Sequence, residues 1–500
     1  MTLGRNLLAG LSNSVWSALV GFATVPFYLK YLGIEAYGLI GFFMTTQALL
    51  QLLDMGMAPT INREVARSAA AGELEKAGRL LHTLAVVYWG VAAGIAIVIF
   101  LISSVIANYW LQSQQLSPAT MSNAVMLMGL VLAARFPIAL YQGALIGAQR
   151  LVVSSVINMA MVTIGGGGAI LILAFVEPTI EAFFCWQAAI GLMYAVVIRA
   201  AAWKVVGRSG SREFDWKLLK QVWRFTAGMS AIGLTALVFT QLDKVILSKM
   251  LGLGEFAHYM LATVVVSGLY VLVSPLFNVI FPRFSSLVVT GELEKLQELY
   301  RLGTRYLSST LFPIALTLAF FAEDLVYVWT GDGNVASSVA PIIQAMVIGS
   351  ALNGVMYFPY ALQLAHGLTW IPLTINIGLM ILLAPLIVYL TRAYGPMGGA
   401  IAWMTTQIAY ALVGPWLTHK YIFQGLALRW LANDVGLALL ATLFAALAGH
   451  WLIGTGDFSH FERLFLAAGL ALLTATSLLL APAELRKVLL AYLRKGPAAV

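Results

Sequence analysis

The sequence predicts an all-α polytopic membrane protein of about fourteen transmembrane helices. They form two parallel six-helix lobes followed by a C-terminal helix pair. Three observations carry this. Apolar runs of eighteen or more residues recur along the whole chain, and each can cross a hydrocarbon core of roughly 30 Å as a helix. Charged residues make up only 10% of the chain, and mean hydropathy is +0.89. The pentapeptide Gly-Glu-Leu-Glu-Lys occurs twice, at Gly72–Lys76 and Gly291–Lys295, 219 residues apart. The short alternating segments of an outer-membrane barrel are absent, so backbone polar groups must be satisfied within helices.

The elements follow in order. The first apolar run, 8–29, opens after Arg5 and mimics a secretion signal. It extends to Tyr28, ends at Lys30 and lacks a small-x-small cleavage site, so it reads as an uncleaved span. Spans at 38–57 and 82–105 flank a long basic break, 58–81. Spans at 121–146, 152–175 and 182–203 are joined by short breaks. A second basic break, 204–224, reads as a cytoplasmic linker, with Arg208-Ser209-Gly210-Ser211-Arg212 as a flexible turn. Spans at 225–248 and 257–280 precede a third basic break, 282–304. Spans at 305–329, 338–364, 370–391 and 397–418 complete the second lobe. Two more, at 432–453 and 464–482, lie outside the duplication.

The 219-residue offset recurs between Arg5 and Arg224, between Lys30 and Lys249, and between Leu32-Gly33 and Leu251-Gly252; Asn158 and Asn376 match at 218. Six spans is an even number, so both lobes start on the same side. The pseudo-two-fold therefore runs along the membrane normal. The expected organisation is an N-terminal lobe 1–203, a linker 204–224, a C-terminal lobe 225–418, an extra hairpin 432–482 and a cytoplasmic tail 483–500. The two pentapeptides read as short inner-face helices, with acidic residues in the first turn and Lys76 and Arg79 further along.

Basic residues set the orientation. With the amino terminus inside, 22 of the 29 Lys and Arg residues fall on the inner side, four on the outer side (Lys30, Lys249, Arg392, Arg463), and Arg135, Arg199 and Lys244 within spans. Both termini are therefore expected in the cytoplasm. The net charge of +8 reflects these helix-end signals rather than nucleic-acid binding. The single cysteine, Cys185, excludes an internal disulfide, and the six histidines show no ligand spacing, so no metal site is expected. No Gly-Lys dipeptide occurs, which excludes a Walker A loop. Gly-x-Ser-x-Gly and His-Glu-x-x-His are also absent, and no outer break is long enough to hold an active site. Gly165 to Gly168 reads as a flexible or closely packed helix segment.

Charges inside spans are costly and are candidates for function. Arg135 is the deepest; Pro137 beside it predicts a kink. It reads as an anion-binding cation, or else as the partner of a carboxylate or of free carbonyls. Asp243 and Lys244, beside Gln241, read as coupling or gating groups, or as a pair in which Lys244 snorkels outward. Asp54 shares a helical face with Gln47 and Gln51; the bland alternative is a rim salt bridge to Arg63 or Arg67. Arg199 reads as interfacial. Asn158, Asn376, Asn278 and Asn353 read first as helix–helix hydrogen-bonding residues. A duplicated helical bundle with buried charges and no enzyme motif argues for a transporter.

Several segments resemble one family. Pro26-Phe27-Tyr28-Leu29-Lys30-Tyr31-Leu32-Gly33-Ile34-Glu35-Ala36-Tyr37-Gly38 resembles the first outer loop of bacterial polysaccharide flippases. Leu53-Asp54-Met55-Gly56 with Arg63 and Ala66 resembles the end of their second span, and Gly147-Ala148-Gln149-Arg150 their fourth-to-fifth turn. Asp243-Lys244 with Leu251-Gly252 resembles their seventh span. Phe281-Pro282-Arg283-Phe284-Ser285 resembles the loop after the eighth, and Gly395-Pro396-Met397-Gly398-Gly399-Ala400 the start of the twelfth. The resemblance implies the multidrug, oligosaccharidyl-lipid and polysaccharide exporter superfamily and, within it, the O-antigen or exopolysaccharide-unit flippases. Such proteins move undecaprenyl-pyrophosphate-linked glycans from the inner to the outer leaflet by alternating access.

By that resemblance spans 1, 2, 7 and 8 line the central cavity. It offers Gln47, Gln51, Asp54, Gln241, Asp243, Lys244 and Asn278 as substrate or cavity residues. Arg135 is an additional cation, and Arg63 and Arg283 sit at the cytoplasmic rim. No cofactor is implied beyond proton or sodium coupling. The implied partners are the lipid-linked glycan, the bilayer and a polysaccharide polymerase with its chain-length machinery; the implied location is the bacterial inner membrane. The alternatives are a lipid-linked peptidoglycan-precursor flippase, a multidrug or metabolite cation antiporter, and a membrane glycan polymerase or ligase.

Overall fold

The computed structural model describes residues 2–71, 74–207 and 214–481. The linker turn at 208–212, Gly72-Glu73 of the first pentapeptide and the tail 483–500 lie outside the described residues. Every regular element among those described is helical. The chain divides into two compact units, Met1–Ala257 and His258–Val500.

The first unit begins with α1 (Thr2–Leu32) and α2 (Ile34–Leu50), separated by Gly33 at φ 80°. A 3₁₀ turn, Gln51–Asp54, extends α2. The chain then reverses through Met55 and Gly56, both left-handed, into α3 (Met57–Ala71). The predicted basic break is thus largely a helix. Its apolar face, Met57, Ile61 and Val65, packs on α6 (Ile138–Gly147). Gly143 and Gly147 on α6 leave room there for the backbone of α3 at Ala58 and Asn62. The hydrophobic core of this corner is completed by α4 (Leu74–Val105), whose last turn widens into a π turn at Ile106–Trp110. Helix α5 (Pro118–Arg135) stops at the Phe136-Pro137 break before α6, because Pro137 has no N–H to continue the ladder. Helices α7 (Leu151–Phe175) and α8 (Ile180–Val206) pack on α1 and α5 respectively, and on each other. The 35-residue α9 (Trp216–Met250) packs on α2.

Helix α10 (Leu253–Ser267) follows, and the unit boundary falls inside it. The predicted span 257–280 is interrupted at Gly268-Leu269, where tighter bonds to Val265 and Val266 replace the helical ladder. Helix α11 (Tyr270–Thr290) then carries Pro275 and Pro282 into the predicted break.

The second pentapeptide joins two helices. Gly291, left-handed at φ 72°, ends α11, and Leu293 opens the 28-residue α12 (Leu293–Phe320). Glu292 accepts hydrogen bonds from Lys295 and Thr290, which hold its carboxyl below the usual range. The expected short inner-face helices are therefore the leading turns of long ones; in the first copy Lys76 lies in α4. At Phe321 the chain bends by 73° into α13 (Ala322–Thr330). Then come α14 (Gly333–Val355), α15 (Tyr357–Ala365), α16 (Trp370–Tyr394) and α17 (Pro396–Tyr421). A short α18 (Ala427–Arg429) and a π turn, Trp430–Gly436, lead into α19 (Leu437–Gly454). A capping box at Ser459 and Glu462 then starts α20 (His460–Leu480).

Among the described residues eleven helices are long and apolar enough to cross a membrane, or twelve if the bent α12–α13 pair is one span. Helices α9 and α17 are long enough too, at 35 and 26 residues, but carry more polar side chains. Together these account for the approximately fourteen helical segments expected.

Candidate functional site

Helices α1, α2, α5, α6, α7 and α8 of the first unit surround a cavity of about 470 Å³. That size falls within the range of small-ligand sites. Most of the wall is apolar, and Tyr28, Phe43, Phe183 and Tyr194 contribute aromatic faces to it, Tyr28 and Phe183 meeting edge to face with ring centres 5.1 Å apart. Arg135 and Asp54 are the charged side chains among its described lining residues.

Arg135 occupies the last position of α5, immediately before the proline break. Its Nη1 donates to Gln47 Oε1 at 3.0 Å and its Nη2 to Gln187 Oε1 at 2.6 Å. The guanidinium carbon lies 5.5 Å from the centre of the Phe43 ring, within cation–π range. No carboxylate lies within ion-pair distance among the described residues. Two neutral carbonyls orient the cation without cancelling its charge. Gln187 is itself fixed, since it is 7% exposed and its Nε2 donates to the Gly165 carbonyl at 3.2 Å.

Asp54 ends the 3₁₀ turn and faces the same cavity. It accepts the Tyr88 hydroxyl and the Ala58 N–H, at 3.3 and 3.4 Å to its two oxygens. It thereby helps to cap α3. The alternative salt bridge from Asp54 to Arg63 or Arg67 is not among the ion pairs of the described residues, and Arg63 pairs with Glu64 at 2.6 Å on the surface. Gln51 also lines the cavity.

A third set of polar groups lies along α6, α7 and α8. Gln142 donates to the Tyr194 hydroxyl at 2.6 Å, and that hydroxyl donates to Asn158 Oδ1 at 2.9 Å. Asn158 Nδ2 donates to Asn13 and Ser17 of α1. Asn158 thus makes the interhelical bonds expected of it and lines the cavity as well.

The remaining candidates lie elsewhere. Asp243 is fully buried on α9, and Lys244 Nζ is 3.1 Å from its Oδ1 and 2.8 Å from the Thr240 carbonyl. Neither residue lines the cavity, nor does Gln241. Asn278 and Arg283 are exposed on α11 of the second unit. Arg63 is half exposed. The structure thus brings together Arg135, Gln47, Gln51 and Asp54. It adds Gln187, Gln142, Tyr194 and Tyr88, which sequence reasoning passed over. Gln47 stands out because it shares a helical face with Asp54; Gln187, a lone glutamine inside an apolar run, has no such pairing to draw attention to it.

A sequence model of the family described as polysaccharide biosynthesis protein matches residues 3–288. A Shigella flexneri protein named "Putative O-antigen transporter" is 21% identical over 419 residues, covering 81% of this chain and 97% of that protein. Among solved structures, an inward-facing multidrug resistance MATE family transporter of the MOP superfamily superposes with a TM-score of 0.64 at 14% identity. It covers 83% of this chain and 94% of its own. The lipid II flippase MurJ, in an inward closed conformation, gives a TM-score of 0.63 at 14% identity and covers 94% of this chain and 98% of its own. The chain therefore has the all-helical fold of these transporters.

Proposed function

The chain belongs to the polysaccharide biosynthesis protein family, and we propose that within it the protein is a flippase. Its cargo is an undecaprenyl-pyrophosphate-linked oligosaccharide unit, carried from the inner to the outer leaflet of the inner membrane by alternating access. The product serves O-antigen, capsule or exopolysaccharide assembly, where a polymerase and its chain-length machinery are the natural partners. The inside placement of both termini and the division into two six-helix lobes and a hairpin belong to the same proposal.

Arg135 carries the reading. A pyrophosphate bearing a polar glycan cannot cross hydrocarbon unaided, because its charges and hydroxyls would lose their hydration. The cation in this cavity is oriented by Gln47 and Gln187 and has no carboxylate within ion-pair distance among the described residues; the cavity's one described carboxylate, Asp54, accepts instead from Tyr88 and the Ala58 N–H. Such a cation suits a phosphate, and the amides and phenols around it suit sugar hydroxyls. A cationic drug would meet the same positive charge, which disfavours an antiporter of organic cations. A lipid-linked peptidoglycan precursor shares the pyrophosphate, so the cargo must be separated by experiment.

Deleting the protein should accumulate a lipid-linked glycan on the cytoplasmic face, and the wild-type chain should clear it. The Arg135→Gln variant, present in the membrane at wild-type level, should not. Accumulation of peptidoglycan precursor instead would reassign the cargo, and normal clearance by the variant would remove Arg135 from the site.

A further inference from the structure

Helix α2 lines the cavity from Tyr37 to Leu50, and Asp54 lines it just beyond that end. Glu35, in the first turn of the helix, lies just past the lining at the other end. Glu35 is 7% exposed. Its carboxylate accepts the Ser113 hydroxyl, the Gln114 N–H at 3.2 Å and the Gln115 N–H at 3.0 Å. Ser113 Oγ in turn accepts the Leu116 N–H at 2.8 Å, which closes the segment around it. This is the outer break that by sequence carries neither a basic residue nor a carboxylate. Its chemistry is supplied by α2.

The same segment grips the corner between α9 and α10. Trp110 Nε1 donates to Ser248 Oγ at 3.1 Å, and the Leu253 N–H donates to the Gln112 carbonyl at 2.7 Å. Lys249 Nζ donates to the Tyr109 carbonyl and lies 5.8 Å from the centre of the Trp110 ring. Helix α2 also touches that corner directly. Gly38 sits against the Leu253 carbonyl so closely that a Cβ would collide with it. One segment, 106–117, therefore fastens the start of a cavity helix to the end of α9.

We infer that segment 106–117 is a latch that closes the cavity at the Glu35 end of α2, with Glu35 as its catch. This rests on the transport reading, because a closed end must open once in each cycle. The physical basis is that Glu35 has two satisfied states. Docked, its charge is met by a hydroxyl and two backbone N–H groups, bonds stronger than neutral ones. Undocked, it must be met by water, since a carboxylate left dry and unpaired is far too costly. Intermediate positions satisfy neither condition, so the segment has two states rather than a continuum. The charge count places this end on the outer side, where water is at hand.

Two measurements test the latch, both in a Cys185→Ala background. The first uses Gln112→Cys with Leu253→Cys, joined by a reducible short thiol crosslinker. Crosslinked protein should lose at least tenfold in glycan clearance, and reductant should restore it; full clearance while crosslinked would overturn the latch. The second uses Met44→Cys as a reporter inside the cavity, labelled by a membrane-impermeant thiol reagent added outside. Glu35→Gln replaces one acceptor oxygen with a donor facing the N–H groups, and should raise labelling several-fold. Unchanged labelling would overturn the proposal. The labelling requires no substrate, so it reports on the latch even if the glycan is misassigned. Conversely, a faithful latch in a protein that clears no glycan would count against the flippase reading alone.

Discussion

The two units treat arginine on their membrane helices in opposite ways. In the first, Arg135 is held by two glutamine carbonyls and faces a cavity. In the second, Arg301 and Arg305, one turn apart on α12, close on a single fully buried carboxylate. Asp434 accepts Arg301 Nε at 2.8 Å and Arg305 Nε at 2.6 Å. It lies in the π turn before α19, beside Trp430, which is fully buried and donates to Thr304. The comparison separates two uses of one residue type. A cation matched to a carboxylate fastens helices together; a cation matched to neutral amides keeps its charge for an occupant. At the far end of the added hairpin, His460 and Arg463 reach Asp324 of α13 at 2.6 and 3.9 Å. That hairpin is thus tied to the second unit at both of its ends.

The largest expected effect follows directly. Arg135→Ala should cut clearance of the lipid-linked glycan by about 100-fold, because charge-assisted hydrogen bonds are each worth about 1.5–3 kcal/mol. The amount of folded protein in the membrane should stay near wild type. Arg135→Lys should recover part of the activity, keeping the charge but losing the two-armed grip. Asp434→Ala should reverse the pattern. Losing the shared partner leaves two partly exposed arginines, so it should destabilise by less than the roughly 3–5 kcal/mol of a fully buried pair, read as a lower melting temperature in detergent. Activity per folded molecule should change little. A drop in activity at wild-type stability would break the comparison.

Gln187→Ala should fall between the two. It leaves the charge but releases its aim, so clearance should drop by about tenfold, the value of one hydrogen bond to a charged group. Gln187→Glu would place a carboxylate against the guanidinium and turn the first site into a copy of the second. Its activity should fall at least as far as in the alanine variant, while its melting temperature rises or holds. The smallest effect is expected at Lys244→Met, well below that of Arg135. Lys244 lies beside Asp243 and outside the cavity lining.

The helices themselves were legible in the sequence because hydrophobic runs are a local signal. Arg135 was legible for the same reason: one guanidinium in an apolar run stands out whatever surrounds it. Its partners were not. Gln187 is 52 residues from Arg135, and Tyr88 is 34 from Asp54. Nothing in a single chain says which polar residue of one helix meets which of another. The break at Gly268 was hidden because apolar residues continue across it, and periodicity does not register a lost backbone bond. The reach of Glu35 to Ser113 was hidden by burial, since a lone acid at the start of a helix reads as a dipole partner.

The four glycines Gly165 to Gly168 do not share one role. Four identical letters hold different positions. A methyl on Gly166 would press on Val20 and Thr24, one on Gly168 would enter the Trp186 indole, and one on Gly167 would meet nothing. Alanine at 167 should raise the melting temperature slightly, by the roughly 1 kcal/mol that separates alanine from glycine in a helix. At 168 it should lower it. Gly165 matters through its backbone. Its carbonyl accepts both Trp186 Nε1 and Gln187 Nε2, at 3.2 Å each. Gln187 in turn holds Arg135. The reference against which the cation is aimed is therefore a main-chain oxygen, which side-chain mutagenesis cannot remove. A scan of this site by substitution would record the glutamine and the arginine and leave the atom that orients them unmarked.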